Sequence, residues 1–174
     1  MESEFDIIRR YFTRPTKRAL LGVGDDAALI AYNATTDLAI STDTLVVGQH
    51  FFPDTDPTQL GHKALAVNLS DMAAMGAVPR WITLAITLPK DKSQNNLTWL
   101  QAFARGFFAL ADRYQVELIG GNTTSGPLNI CVQIIGEVLR NKALKRSNAQ
   151  PNDDIWVSGQ LGNAALALAH LKQQ

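Results

Sequence analysis

The chain predicts a single α+β domain, a mixed α/β sandwich built on a mixed sheet. Three observations carry that prediction. Its 174 residues, 46% of them hydrophobic, suffice to bury one sizeable core. Helical and strand-like periods alternate through the first two thirds of the chain, as they do when helices are layered on a sheet. Residues 116–121 and 129–139 then give two strand-like runs with no helix between them, which argues against a purely parallel, doubly wound sheet.

Each element has its own signal. Residues 3–12, SEFDIIRRYF, read as an amphipathic helix with Ser3 as N-cap and Asp6 three residues on. A glycine-rich turn follows, LLGVGDDAALI, in which Asp25 and Asp26 lead straight into an apolar run. Residues 37–47 alternate as a strand does, although Ser41, Thr42 and Asp43 crowd polar groups into its middle. Pro57 suits the first position of a helix capped by Asp56 and running to a stop near Gly76. Residues 81–89 read as a buried strand, 95–115 as a second amphipathic helix, 116–121 as a short strand and 129–139 as a longer one. A further strand is expected to begin in DDIWVSG, residues 153–159, before a helix from Asn163 onward. Neither an internal repeat nor a low-complexity segment appears.

Charge and cysteine content narrow the function classes. Sixteen basic and sixteen acidic side chains cancel, which leaves no electrostatic case for nucleic acid or an anionic membrane. No stretch approaches the roughly 18 apolar residues of a membrane span, and the N-terminus lacks a signal-peptide core, so the cytoplasm is the expected location. The single cysteine, Cys131, lies in the apolar run NICVQIIGEV and is expected to be a buried core thiol, with no disulfide framework.

Gly22-Val-Gly24-Asp-Asp-Ala27 fits the dinucleotide pattern G-x-G-x-x-A, and Asp43 stands about 20 residues on. Electrostatics argues against it. Two carboxylates facing a pyrophosphate repel it by roughly 4 kcal/mol per unit pair at about 4 Å and an effective dielectric near 20. No glycine is followed by lysine, so the Walker phosphate loop is absent as well. A cation reverses the sign of the repulsion. Asp25 and Asp26 in the turn, Asp43 beside Ser41 and Thr42, and Asp71 near the end of a mostly apolar helix are hard oxygen donors of the kind Mg²⁺ takes. Ordinary roles stay open at this point: Asp26 bonding its own turn, Asp43 capping or pairing with a lysine, Asp71 bonding nearby backbone. Residues 118–127, LIGGNTTSGP, suit either a loop that brings amides to a phosphate or a simple hairpin. His50 fits a strand end or a contact to an anionic substrate, and Arg146 a solvated charge or a phosphate contact. Met72 and Met75 read as core filler.

Taken together, GVGDDAA, ISTDTLVVGQHF, LGHKALAVNLSDMAAMGAVP, LIGGNTTSGPL, ALKRSNAQPND and WVSGQLGNAALAL resemble, in sequence and spacing, the N-terminal half of the bacterial thiamine-monophosphate kinase family. The resemblance covers nearly the whole chain. That family lies in a superfamily with aminoimidazole ribonucleotide synthetase, selenophosphate synthetase and a hydrogenase maturation enzyme. It implies ATP as co-substrate, Mg²⁺ as cofactor, and phosphorylation of thiamine phosphate to thiamine diphosphate without a catalytic nucleophile. By the same resemblance, Asp26, Ser41, Thr42, Asp43 and Asp71 match metal ligands, His50 a substrate contact, Gly121 and Asn122 the nucleotide loop, and Arg146 an ATP contact. Asn122 also falls at a metal position; it stands where many members carry aspartate, which implies a weaker metal site. Ala104 stands where many carry tyrosine, which leaves an aromatic contact to ATP in question. The implied fold is an N-terminal ATP/Mg-binding and dimerisation domain, residues 1–150, whose sheet pairs with a second copy to form a barrel. Residues 151–174 would then open a truncated second domain, making this segment a fragment, inactive alone. The alternatives are another ATP-using member of the superfamily or a non-catalytic dimerisation or nucleotide-binding module.

Overall fold

In the computed structural model, which describes residues 20–21, 25, 28–31, 35–89 and 96–172, five strands form one mixed sheet in the order β1-β2-β5-β3-β4. The strands are β1 (Ala28–Ala31), β2 (Thr36–Val46), β3 (Val78–Leu88), β4 (Glu117–Ser125) and β5 (Asn129–Leu139). Between them lie α1 (Pro57–Ala74) and α2 (Asn96–Tyr114), and after them a short 3₁₀ turn (Arg146–Asn148) and α3 (Asn163–Lys172). The expected helix at residues 3–12 lies outside the described residues.

Alternation along the strands decides which face is covered. On β5, Ile130, Val132, Ile134, Gly136 and Val138 are buried while Cys131, Gln133, Ile135 and Glu137 between them are half-exposed. Register sets Val132 and Ile134 beside Leu84 and Ile82 of β3 and beside Asp43 and Ser41 of β2, so one face collects the apolar residues. Both long helices lie on that face. Helix α1 starts as its sequence dictates, with Pro57 in the first turn and the Asp56 carboxylate accepting from Gln59 N at 2.9 Å. It turns inward Leu60, Gly61, Ala64, Leu65, Asn68 and Met72. On α2, Phe103, Phe107, Leu110 and Ala111 repeat at three- and four-residue intervals, and Phe103 stacks between Trp99 and Phe107 with centroids 5.3 and 5.9 Å apart. The two helices touch backbone to backbone. A methyl group on Gly61 would stand 2.1 Å from Phe103 O, and one on Gly106 1.9 Å from Thr58 O, so neither position admits a side chain without the helices parting.

Four expectations change. Strand β1 adds an antiparallel edge to β2 that the short run ALIA gave no reason to expect. Strand β4 continues through Asn122 to Ser125, because parallel pairing with β3 holds the chain extended where its glycines suggested a turn. Residues 153–159 form no strand: they pair with no strand among the described residues, and Ile155 and Trp156 are 93% and 89% exposed. Cys131 is not a core thiol; its neighbours Ile130 and Val132 point to the helices and it points to the open face, half-exposed.

Candidate functional site

The middle of β2 is where candidate residues meet. Successive side chains of a strand point to opposite faces, so Ser41 and Asp43 lie on the helix side with buried Ala39 and Leu45. Asp71 comes to them from the last turn of α1. The Ser41 hydroxyl donates to Asp71 Oδ2 at 2.5 Å, a short charge-assisted bond that fixes the direction of the carboxylate. Asp43 is close enough to feel the same charge. Burial and then the negative charge of Asp71 push its carboxyl above the usual carboxylate range, while His50 acts in the opposite direction. Two acids and a hydroxyl are thus held together at a cost that a bound cation would remove.

Thr42 does not join them. Its side chain is on the open face, where Gln133 Nε2 donates to its hydroxyl at 3.5 Å, so the expected row of three donors is split by the pleat. His50 sits in the turn after β2. Its Nδ1 accepts from Val46 N at 3.0 Å, and its carbonyl accepts from the Lys63 ammonium. Nothing local in the sequence pairs Lys63 with that turn, and it escaped the sequence reading.

Arg146 lies in the 3₁₀ turn, and its partner is Asp25. The Arg146 amide donates to Asp25 Oδ2 at 3.2 Å, and its Nε lies 3.7 Å from Asp25 Oδ1. The first acid of the pair therefore faces a cation from 121 residues away, a pairing that no local pattern reveals. Asp26 lies outside the described residues.

Gly121 and Asn122 are placed apart from the cluster. In the strand order they lie three positions from β2, roughly 14 Å at the usual strand spacing. Gly121 has a packing reason to be glycine. Its φ is +154°, and a methyl group there would stand 1.9 Å from Leu84 O on β3. Asn122 pairs in register with Ala85 and is exposed. Ala104 is half-buried on α2. A groove of about 470 Å³ between α1 and α2, lined by His62, Leu69, Ser70, Leu110, Arg113 and Tyr114, holds none of the candidate residues.

The donor set fits Mg²⁺ in kind: hydroxyl and carboxylate oxygens, few enough to leave room for water and phosphate. Among the described residues no group of three or more His, Cys, Asp and Glu converges on one point, so the described part supplies the pair Asp43 and Asp71 with Ser41. No helix among the described residues is long and apolar enough to cross a membrane.

The fold and sequence have known counterparts. The chain is 51% identical over 174 residues to the thiamine-monophosphate kinases of Salmonella typhimurium and of Escherichia coli K12, covering 98% of this chain and 52% of each relative. It spans about half the length of the curated relatives it matches. Among solved structures, thiamine-monophosphate kinase from Stenotrophomonas maltophilia K279a superposes with a TM-score of 0.75 at 52% identity, over 90% of this chain and 48% of that one. A second, described as AaThiL complexed with AMPPCP and TMP, gives a TM-score of 0.77 at 33% identity, over 86% and 48%. The family model for AIR synthase related protein, N-terminal domain, matches residues 24–138, more than half of the chain and all five strands but the last residue of β5. A mixed sheet covered on one face by two helices, with acids gathered where the second strand meets the first of them, is thus the form taken here by a chain that belongs to the AIR synthase related protein family.

Proposed function

We propose that the protein containing this chain transfers the γ-phosphoryl group of ATP to thiamine phosphate, giving thiamine diphosphate. One observation carries the reading: the Ser41–Asp71–Asp43 cluster stands in a fold shared, at 33% identity, with a relative solved in complex with AMPPCP and TMP. Phosphoryl transfer asks a protein chiefly for alignment and charge neutralisation, and the described residues gather two acids and a hydroxyl, groups suited to that task.

Mg²⁺, when bound, supplies neutralisation of the phosphate charge. Asp26, Ser41, Thr42, Asp43, Asp71 and Asn122 are its proposed holders, with Thr42 able to contribute only from the far side of the strand. Ser41 orients Asp71 through its hydroxyl, and Asp43 adds a second carboxylate. Gly121, Asn122 and Arg146 are assigned to the nucleotide and His50 to the substrate phosphate. An oxygen of thiamine phosphate forms the new bond to the γ-phosphorus as the bond from that phosphorus to the bridging oxygen of ADP breaks. No residue of the chain is alkylated or phosphorylated on the way.

The remaining assignments follow the same reading. Residues 1–150 are an ATP/Mg-binding and dimerisation domain, residues 151–174 begin a second one, and the strands of the sheet pair with those of a second copy to close a barrel. The protein works in the cytoplasm, and residues 1–174 alone are inactive. Incubating the complete gene product with ATP and thiamine phosphate and identifying the products tests the assignment. Equal yields of ADP and thiamine diphosphate are expected; ADP formation that ignores thiamine phosphate but responds to another acceptor would assign the chain to a sister activity.

A further inference from the structure

Lys63 is exposed on α1, and an exposed helix lysine ordinarily extends into water. Here it reaches instead to the turn after β2, where its ammonium donates to the His50 carbonyl. That turn needs a tether. Gly48 has φ of +78°, the Val46 carbonyl accepts from both Gln49 N (3.2 Å) and His50 N (2.9 Å), and Gln49 and His50 are exposed. The chain is anchored on either side of it, at Val47, which packs against the core, and at buried Phe51, whose carbonyl accepts from Gly48 N at 2.8 Å. His50 itself is gripped at three atoms: its amide and Nδ1 by Val46, and its carbonyl by Lys63. Because Nδ1 accepts from a backbone N–H, the proton of the neutral ring resides on Nε2, leaving that N–H as the ring's donor.

Besides their packing, helix α1 and the β2 region are therefore joined by side-chain hydrogen bonds from Ser41 to Asp71 and from Lys63 to the His50 carbonyl. We propose that Lys63 is a positioning residue, which holds His50 in one place relative to the acidic cluster so that its Nε2–H meets the phosphate of a phosphate-monoester substrate already oriented. The inference rests on the proposed role of His50 as a substrate contact. A turn ordered before binding spares the substrate that ordering, so the effect of Lys63 falls on KM and leaves the chemical step alone.

Steady-state kinetics on the complete gene product, with thiamine phosphate as the varied substrate, tests this with Lys63→Met, Lys63→Arg, His50→Gln and the Lys63→Met/His50→Gln pair. Lys63→Met is expected to raise KM about 5–10-fold with kcat within about 2-fold, as loss of uniform binding requires. Lys63→Arg, which keeps a donor to the carbonyl, returns KM to within about 2-fold, and the double variant is no worse than His50→Gln alone. An unchanged KM in Lys63→Met, or the same further rise when it is added to His50→Gln, overturns the proposal; the second result would make Lys63 an independent contact. A His50→Gln variant with unaltered KM instead removes the substrate role of His50. In that case the ¹⁵N shifts of His50 still decide the tether: loss of the Nε2–H tautomer's fixed signature in Lys63→Met supports it, and identical shifts in both proteins refute it.

Discussion

Strands β2 and β4 both carry polar residues where a buried strand has none, but the molecule uses them differently. On β2, Ser41 and Asp43 face a helix, half-buried, and are met by Asp71. On β4, all nine residues from Glu117 to Ser125 are exposed, and the glycine at its centre is demanded by the backbone of β3. Similar departures from an apolar pattern thus have distinct origins: electrostatic strain held in place by packing, and steric necessity at an edge. An odd residue in a strand points to chemistry when something across the interface answers it.

The largest effect expected from breaking this contrast is on turnover. Asp71→Asn in the complete gene product should cut phosphoryl transfer by at least about 10³-fold, the scale on which a lost electrostatic stabiliser acts. The fold should barely respond, since Ser41 can still donate to the amide oxygen. Activity preserved together with a large drop in melting temperature would show that Asp71 holds structure only.

At β4 the order of effects reverses. Gly121→Ala should cost about 1–3 kcal/mol of unfolding free energy, because its methyl group meets Leu84 O and its φ disfavours any side chain. Urea unfolding monitored by far-UV circular dichroism measures it. An unaltered midpoint would mean that β4 moves away from β3 without consequence.

The smallest effect sharpens the reading of β2. A carboxyl whose titration lies above its ordinary value of 3.8 stabilises the fold when protonated and loses that contribution as pH rises through its folded-state titration. Asp43→Asn should therefore raise the melting temperature of the metal-free protein at pH 7 by roughly 1–3 °C, solvent screening at a half-buried site keeping the gain small. Below pH 3.8 the two proteins should converge. A variant less stable than its parent at neutral pH would mean that Asp43 is favourably paired in the fold.

Much of this architecture was readable in advance, for reasons that can be named. Pro57, Asp56 and Gly76 bracket α1 by local chemistry alone, and Gly76 does take a left-handed φ of +65°. The run NICVQIIGEVL gave β5 its bounds, yet Cys131 was misplaced because an apolar run conceals its own alternation until one face is known. The same two-residue period separates Thr42 from Ser41 and Asp43, a consequence that sequence proximity hides. Parallel pairing carried β4 past its glycines, and residues 153–159 find no partner strand among the described residues; neither fact is local. Asp25 with Arg146 and Lys63 with His50 were likewise invisible, because nothing in the intervening chain signals that their side chains meet.

The position of β5 governs the order in which this sheet can be made. It is the last of the five strands to leave the ribosome, yet it stands in the middle, pairing with β2 on one side and β3 on the other. Before it emerges, β1 can pair with β2 and β3 with β4, but the two halves share no hydrogen bond across the sheet. At about 5–20 residues per second, the gap between completing β2 and completing β5 at Leu139 is several seconds, through which α1 has only part of its surface to cover. Closure of the domain is a late, long-range event, slow for the same reason that high-contact-order folds are slow, and the nascent chain must hold two unpaired strand edges apart until β5 joins them.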